Sequence, residues 1–235
     1  MHVSVISRIK DIPADHWNRV SGIEHPFTRH EFLAALERHD CVGEAFGWLP
    51  RHVVAFDRDD LPVGIMPLYL KNNSYGEFVF DWAWADAWQR AGLPYYPKLV
   101  SSIPYTPVTG SRLLVRPDAD RGTVTAALVD HAQELVNRTG ASSLHCLFPT
   151  QEQVTQLTAA NLAVRSDVQY HWHNHSYKSF DEFLATLKQT KRKKIRQERR
   201  KVNDHGVTFR VRHGSELNDN DWHDVHRFYE NTFHQ

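Results

Sequence analysis

Hydrophobic and polar residues alternate in several short stretches of the chain, and hydrophobic residues recur at helical spacing between those stretches. Alternation is typical of half-buried strands, and a spacing of three or four residues is typical of amphipathic helices. The interleaving of the two patterns predicts an α/β fold with a mixed sheet. Strands are predicted near residues 2–9, 51–56, 63–70, 111–115, 142–148 and 168–173, and helices near 13–20, 28–40 and 121–138 and after 150.

Helix starts are marked by short polar signatures. Thr28 precedes Glu31 by three residues, and Ser179 precedes Glu182 by the same interval. In this arrangement the hydroxyl and the carboxylate can each accept a backbone N–H that the first helical turn leaves without a partner. Both positions are therefore predicted to begin helices, and Thr150 is predicted to begin a shorter one.

The C-terminal part of the chain predicts a second unit. From Ser179 a long helix is expected to reach about Asn203, followed by a strand at 207–211 and a helix capped by Asp219 or Asp221. Helix, strand and helix alone cannot bury their apolar faces. We therefore expect residues 1–175 and 176–235 to form two units, the second completed by a missing C-terminal segment or a neighbouring chain.

Composition narrows the class of protein. With 41% hydrophobic and 24% charged residues, the chain has the balance of a folded globular protein. It contains no run of roughly 20 apolar residues and no signal-peptide pattern, so no membrane span and a cytoplasmic location are expected. Cys41 and Cys146 lie far apart outside any metal-binding spacing, which predicts neither a disulfide nor a zinc site.

Charge is distributed unevenly along the chain. Residues 1–170 carry 15 Lys and Arg against 19 Asp and Glu, whereas residues 171–235 carry 13 against 9. The net charges are thus −4 and +4, which cancel to the formal zero of the whole chain. A local positive excess favours a site for an anionic partner over a nucleic-acid-binding surface that covers the protein.

The segment 75–107 is rich in aromatic residues, carboxylates and prolines. If extended, it would place Phe78, Phe80, Trp82 and Trp84 on one face and Asp81 on the other. Flat rings stack on sugars or acyl chains, and carboxylates can take a proton, so a substrate wall and a buried core are both open interpretations. In the first, Asp81 is the base that deprotonates an attacking amine and Tyr105 is the proton donor. The candidate substrate-binding residues are Tyr75, Trp82, Trp84, Asp86, Tyr95, Tyr96 and Lys98.

Nine Lys and Arg residues lie within 188–201, where Glu198 is the only acid. At 3.6 residues per turn, one face of a helix would carry four of them. Such a stripe can bind the phosphates of coenzyme A, of an aminoacyl-tRNA or of a nucleotide-sugar precursor, and the alternative is a solvated face. The candidate donor-binding residues are Lys188, Arg192, Arg196 and Arg199.

Other chemistries have little support in the sequence. His171, His173 and His175 would share one face of a strand, but no acidic residue accompanies them, so no metal site is predicted. GxSxG and HExxH motifs are absent from the sequence, and neither cysteine has the setting of a nucleophile. No tightly bound cofactor is expected.

Five strings together resemble the signature of bacterial FemAB-like proteins of the GNAT acyltransferase superfamily. They are HPFTRHEFLAALE (25–37), MPLYLKNNSYGEFVFDWAWADAW (66–88), GLPYYPKL (92–99), PYTPVTGSRLLV (104–115) and RKKIRQERRKV (192–202). The resemblance implies two GNAT-like domains in tandem, with the second incomplete here. It also implies a relationship to the Fem aminoacyl transferases, which add amino acids to the peptidoglycan precursor.

That resemblance implies transfer of an acyl group from acyl-CoA or aminoacyl-tRNA to an amine, for example on a peptidoglycan precursor. The turn at 116–123 departs from the glycine-rich pyrophosphate loop of GNAT enzymes, since Gly122 is its only glycine and Asp118 and Asp120 would repel phosphate. A donor site in the second unit is therefore favoured. The alternative function is a non-catalytic GNAT-fold module that recognises a cell-wall precursor or a nucleic acid.

Overall fold

The computed structural model describes residues 1–233, which separate into two compact units, one of residues 1–166 and one beginning at Asp167. The GNAT-like character of the two units and the boundary at residue 175 stay predictions. The first unit contains β1 (His2–Ile6), α1 (Ala14–Ser21), α2 (His30–Arg38), β2 (Trp48–Pro50), β3 (His52–Phe56), β4 (Pro62–Met66), β5 (Tyr69–Lys71), α3 (Trp82–Arg90), β6 (Lys98–Ser101), β7 (Leu114–Val115), α4 (Arg121–Thr139), β8 (Leu144–Cys146) and α5 (Gln151–Ala159).

Two four-stranded sheets form the framework of this unit. The first has the order β1-β3-β4-β7 and is antiparallel throughout. The second has the order β2-β5-β6-β8, and its last pair, β6 and β8, is parallel. The predicted α/β fold with mixed pairing is confirmed.

The predicted strand over 63–70 is interrupted and continues in the other sheet. β4 ends at Met66, and β5 begins at Tyr69 in the second sheet. Pro67 lies between the two strands, where the chain passes from one sheet to the other. Proline has no backbone N–H to donate to a neighbouring strand, so it suits this break. Two hydrogen bonds hold Leu68 at the junction: its carbonyl accepts the N–H of Arg51 (2.8 Å), and its N–H donates to His52 Nδ1 (3.2 Å).

The side chains of β3 point alternately to the two faces of the first sheet and contact different helices on each face. Val53 and Ala55 pack with α4 on one face, while Val54 packs with Trp17 of α1 and Leu33 of α2 on the other. Gly64 lets α4 approach closely, since a Cβ at this position would lie 2.2 Å from a methyl carbon of Val124. The first sheet therefore lies between two apolar layers, and a smaller cluster of Val42, Trp48 and Tyr69 completes the core of the unit.

The predicted helix starts differ in outcome. The start at Ser179 is confirmed, because its hydroxyl accepts the N–H of Glu182 (3.2 Å). The capping box at Thr28 is wrong: the helix starts at His30, and the Thr28 hydroxyl donates to the His25 carbonyl. Asn18 of α1 accepts the His30 N–H (3.0 Å), so the cap comes from another helix.

Residues 82–90 form a helix, which corrects the extended conformation considered for this segment. Phe78 and Phe80 have positive φ angles of 60° and 48°, so the chain turns sharply before Asp81, the N-cap residue. Alanine at every second position from 83 to 87 favours a helix, although the intervening aromatics mimic the period of a strand. None of the residues of α3 is buried.

The second unit is helical in its described residues. It contains α6 (Phe180–Ala185), α7 (Gln189–Asp204) and α8 (Asp219–Asn231), so the single helix predicted from Ser179 is broken at Thr186–Lys188. The strands predicted at 168–173 and 207–211 are wrong, although the rings of His171 and His173 lie stacked with centroids 6.3 Å apart. The last helix is capped by Asn218, with Asp221 as the reciprocal partner.

Candidate functional site

Two lysines face each other in the second sheet of the first unit. Lys71 at the end of β5 is the direct cross-strand partner of Lys98 at the start of β6. Both side chains are fully buried. Like charges in this relation destabilise a sheet unless carboxylates offset them. Here Glu77 and Asp81 from the following loop contact Lys98, and their charges also act on Lys71. We call Lys71, Glu77, Asp81 and Lys98 the lysine–carboxylate cluster.

Lys98 is the centre of this cluster. Its Nζ donates to Glu77 Oε2 (2.8 Å), to Asp81 Oδ2 (2.6 Å) and to Ser74 Oγ (2.9 Å). All three donor protons of the ammonium group are therefore used. These contacts attach the loop at 74–81, and with it the start of α3, to the sheet.

Asp81 accepts a second hydrogen bond on the same oxygen, from the Tyr95 hydroxyl (2.6 Å). Burial by itself raises the pKa of Asp81, but the hydrogen bonds to its carboxylate, led by that from Lys98, outweigh burial and lower the pKa to about 2. Burial raises the pKa of Tyr95, and its bond to Asp81 adds to this effect. Asp81 is thus ionised, and Tyr95 protonated, across the physiological range.

Glu77 differs from Asp81 although both contact Lys98. Burial raises the pKa of Glu77 above its ordinary value, against the opposing influence of Lys98. Its Oε1 has no hydrogen-bond partner among the described residues, and the same is true of Asp81 Oδ1. Two buried carboxylate oxygens therefore keep free acceptor capacity, which is unusual in a folded protein.

Lys71 completes the cluster beside an aromatic ring. Its Nζ donates to the Tyr75 carbonyl (3.0 Å) and lies 3.8 Å from the centroid of the Trp48 ring. Burial is the main cause that lowers the pKa of Lys71 to about 7, and Glu77 opposes the shift. The group can consequently gain or lose a proton near neutral pH.

A half-buried histidine borders the cluster on β8. His145 Nε2 lies 2.8 Å from Ser143 Oγ, and its ring lies 6.2 Å from that of Tyr95. Burial, assisted by Lys98, lowers the pKa of His145 to about 4, so its imidazole is neutral near pH 7. The sequence interpretation missed Lys71, Ser74 and His145. The position of Lys71 at the end of an apolar strand was a signal in the sequence. Ser74 and His145 could be assigned to the site only from the tertiary structure.

The predicted substrate-binding residues separate into a buried and an exposed set. Tyr95, Tyr96 and Lys98 lie in or beside the cluster, with the Tyr96 hydroxyl 2.7 Å from Ser74 Oγ. The remaining residues, Tyr75, Trp82, Trp84 and Asp86, are exposed.

The exposed set forms an aromatic surface around α3. The rings of Tyr75 and Trp82 lie 5.2 Å apart, and Asp86 pairs with Arg90 (2.9 Å) on the helix. Trp82 directly follows Asp81, so the exposed rings begin where the buried carboxylate ends. Exposed apolar surface of this kind is typical of interaction sites.

Tyr105, the predicted proton donor, contacts the loop at 74–81. Its ring packs on Gly76, where an added Cβ would lie 2.6 Å from a ring carbon, and on Trp48 at 5.7 Å. Its hydroxyl donates to the Cys41 carbonyl (2.7 Å). Burial raises the pKa of Tyr105, so the phenol is protonated at neutral pH.

The predicted donor-binding residues lie on or next to α7. Lys188 is its N-cap, and the other three lie on the helix itself. Of the nine basic residues in 188–201, Arg192 is half-buried and the others are exposed. Within the described residues, ion pairs of this segment join Lys194 to Glu198 (3.9 Å) and Arg196 to Asp181 (3.0 Å).

The turn before α4 uses its polar groups internally. Asp120 accepts the N–H of Thr123 and caps the helix, while Asp118 pairs with Arg116 (2.7 Å). The carboxylate of Asp120 thus lies where a phosphate would bind in a pyrophosphate loop.

Solved structures resemble the chain only distantly. A ribosomal-protein-alanine N-acetyltransferase from Brucella melitensis biovar Abortus 2308 is 12% identical, with a TM-score of 0.44 over 74% of this chain and 98% of the other. An aminoglycoside 6′-N-acetyltransferase from Acinetobacter baumannii is 11% identical, with 0.43 over 74% and 97%. An acetyltransferase from Trypanosoma brucei is also 11% identical, with 0.43 over 73% and 99%. Similarity at this level does not transfer an activity.

No curated protein matches the chain. Among the described helices, none is both long enough and apolar enough to span a bilayer.

The model of the FemAB-like family, described as peptidoglycan biosynthesis/recognition, matches residues 8–235. Because this match covers nearly the whole sequence, the chain belongs to the FemAB-like family.

Proposed function

We propose that the protein transfers an acyl or aminoacyl group from a phosphate-bearing donor, acyl-CoA or aminoacyl-tRNA, to an amine, and that the amine belongs to a peptidoglycan precursor. The observation that carries this proposal is the exposed and largely unpaired positive charge of α7. Folding does not require such a run, since neighbouring like charges on a helix oppose each other. A bound polyanion would remove that repulsion.

On this proposal Lys188, Arg192, Arg196 and Arg199 bind the donor phosphates. Arg196 and Arg199 follow Arg192 at four and seven residues, so the three share one face of α7. Guanidinium groups suit phosphate because they donate two parallel hydrogen bonds. Arg196 would exchange its exposed pair with Asp181 for the stronger charge of a phosphate.

The acceptor amine is proposed to enter beside the lysine–carboxylate cluster. The free oxygens Asp81 Oδ1 and Glu77 Oε1 would accept N–H groups of the amine. Asp81, with a pKa of about 2, would orient the amine as a permanent anion and is a weak proton acceptor at neutral pH. Glu77, whose pKa is raised, is the better match for taking up its proton.

The chemical step is direct attack. The amine nitrogen bonds to the carbonyl carbon of the donor, and the bond from that carbon to the thioester sulfur or the ester oxygen breaks. The nitrogen loses one proton, and the leaving thiolate or alkoxide takes one up. Tyr105 is the proposed donor of that second proton, which requires its hydroxyl to leave the Cys41 carbonyl.

The exposed rings of Tyr75, Trp82 and Trp84 are proposed to hold the acceptor against α3, with Asp86 orienting its polar groups. Sugar faces and apolar side chains both stack on such rings. Tyr95, Tyr96 and Lys98 are proposed to support this surface from below, because their polar groups position Asp81 and Ser74.

The test is donor binding and acyl transfer by the full chain at several salt concentrations. Replacing Arg192, Arg196 and Arg199 together by Gln should reduce donor affinity on the order of a hundredfold at low salt and flatten its salt dependence. A matched variant with Gln at Lys193, Arg200 and Lys201 removes the same charge from other faces of α7 and should retain most of the affinity. Equal losses in the two variants would contradict a specific donor face.

A second candidate is a non-catalytic module that binds a cell-wall precursor. It is favoured by the burial of Lys98 and Glu77, whose side chains are 0% exposed in this conformation. In that case the α3 surface would bind the precursor, and no donor would be consumed. Precursor binding without acyl transfer from either donor would favour this candidate.

A further inference from the structure

An aromatic cavity of about 320 Å³ lies in the second unit, and none of its lining residues is assigned to the donor or the acceptor above. It forms where the chain before α6 meets the first turns of that helix. A volume of this size is at the lower end of the range for small-molecule sites. Its lining residues are Trp172, Asn174, Tyr177, Ser179, Phe180 and Phe183.

Four of the lining side chains are aromatic, and Phe183 contacts the other three. Its ring centroid lies 6.0 Å from that of Trp172, 5.7 Å from Tyr177 and 5.8 Å from Phe180. Trp172 and Tyr177 are nearly parallel, with an interplanar angle of 29° and centroids 6.4 Å apart. Trp172 is 65% exposed, so a flat ligand can reach these faces from solvent.

Two arginines of α7 lie at the rim of the cavity. The Arg199 guanidinium lies 4.4 Å from the centroid of Phe180, a lining residue. Arg196, one turn earlier on α7, pairs with Asp181, which follows Phe180 in the chain. The aromatic cavity and the donor-binding face of α7 therefore adjoin at Phe180.

A polar group inside the cavity has spare donors. Asn174 Oδ1 accepts the N–H of Tyr177 (2.9 Å), which leaves the amide NH2 group of Asn174 without a partner among the described residues. This group can donate to a ring nitrogen of a base, while stacking on the aromatic rings supplies most of the affinity.

From this arrangement we infer that the cavity binds the base of an adenine nucleotide, with the attached phosphate on Arg199 and Arg196. The inference rests on the proposed function, because acyl-CoA carries a phosphorylated adenosine and aminoacyl-tRNA ends in one. A purine is favoured over the uracil of a nucleotide-sugar precursor because its larger ring covers more of a cavity lined by four aromatic side chains.

The first experiment measures binding of adenosine 3′,5′-bisphosphate to the full chain by calorimetry, with uridine monophosphate as the contrasting probe. Trp172→Ala and Arg199→Gln should each weaken binding of the bisphosphate by about tenfold or more, the scale of one lost base stack or phosphate contact. Two control variants lie outside the cavity: Trp222→Ala removes another exposed tryptophan, and Arg200→Gln removes the arginine next to Arg199. Each should change affinity by less than about threefold.

Circular dichroism of Trp172→Ala checks that the helices are retained, and Arg199→Gln provides an independent reading from a surface position. Unchanged affinity in both cavity variants would overturn the inference, as would tighter binding of uridine monophosphate than of the adenine probe.

Two further arms identify the source of the nucleotide. If coenzyme A is the source, it should bind at least as well as the bisphosphate, and dephospho-coenzyme A more weakly. If tRNA is the source, removal of its terminal adenosine should weaken binding only when the cavity is intact. Either result supports the inference.

Binding and transfer are measured separately so that two failures can be distinguished. Cavity-dependent adenine binding without acyl transfer would retain the inference and remove the proposed function. Acyl transfer with normal donor affinity in Trp172→Ala, a residue outside the donor-binding face of α7, would retain the proposed function and overturn the inference.

Discussion

The lysine–carboxylate cluster and α7 are both rich in charge, but the charges of the first are buried and those of the second are mostly exposed. In the first unit, Lys98 is fully buried and bonded to two carboxylates. In the second, α7 exposes most of its cations to solvent with few partners. A buried charge must be paired because its desolvation is costly, whereas an exposed charge costs little and can await a ligand. Charge density alone therefore does not reveal a role; burial and pairing do.

The strongest test of this contrast is removal of the central cation. Lys98→Met should lower the free energy of unfolding by about 3–5 kcal/mol, because Glu77 and Asp81 are left buried without a counterion. Urea denaturation followed by circular dichroism measures the change. Lys193→Met on α7 is the matched control and should change stability by less than about 0.5 kcal/mol. Similar losses in both variants would end the distinction.

The pH dependence of stability tests the other buried lysine. Unfolded Lys71 holds its proton up to about pH 10.4, but the folded group loses it near pH 7. The unfolded state thus binds more protons above pH 7, and stability should rise with pH by up to about 1.4 kcal/mol per unit. Stability is expected to rise only up to about pH 8.5. Above that pH the Cys146 thiol, whose pKa burial raises to about 12, begins to oppose the rise.

Denaturation midpoints between pH 7 and pH 8.5 measure this slope. Lys71→Met should flatten it, while Lys194→Met, on the exposed face of α7, should leave it unchanged. A slope that persists in Lys71→Met would assign the titration to another group.

The smallest effect is expected from an exposed ion pair. Arg196→Gln breaks the pair with Asp181, in which both side chains are more than half exposed. Stability should fall by no more than about 0.5 kcal/mol, since exposed pairs contribute little. Asp181→Asn should give a comparable change, and thermal unfolding of both variants checks it. A loss of several kcal/mol would show that charges near α7 also maintain the fold.

Local patterns predicted the elements whose hydrogen bonds close within one segment. The helix at 121–138 was predicted from the spacing of its hydrophobic residues and the helix from Ser179 by its capping box. In the structure each is capped by the residue that directly precedes it, Asp120 and Ser179. Thr28 failed as a cap because Asn18, twelve residues before His30, supplies the acceptor from another helix. A cap that arrives from elsewhere in the fold leaves no local signature.

Strand predictions were weaker for the same reason. The alternating segments at 168–173 and 207–211 have strand composition, yet neither is paired in the described structure. The alternation of aromatic residues before residue 88 suggested an extended conformation, but the alanines at 83, 85 and 87 favour the helix that forms there. A strand depends on a partner that its own sequence does not specify.

For the candidate site, the sequence by itself determined which chemical groups are available. It brought Asp81, Tyr95 and Lys98 into one segment and concentrated basic residues on one helix. Only the tertiary structure decided that Lys71 and Lys98 oppose each other across two strands, and that Glu77 and Asp81 lie against them. Helical spacing is a property of consecutive residues, but the burial and pKa of a charge depend on groups that are brought near by strand register and packing.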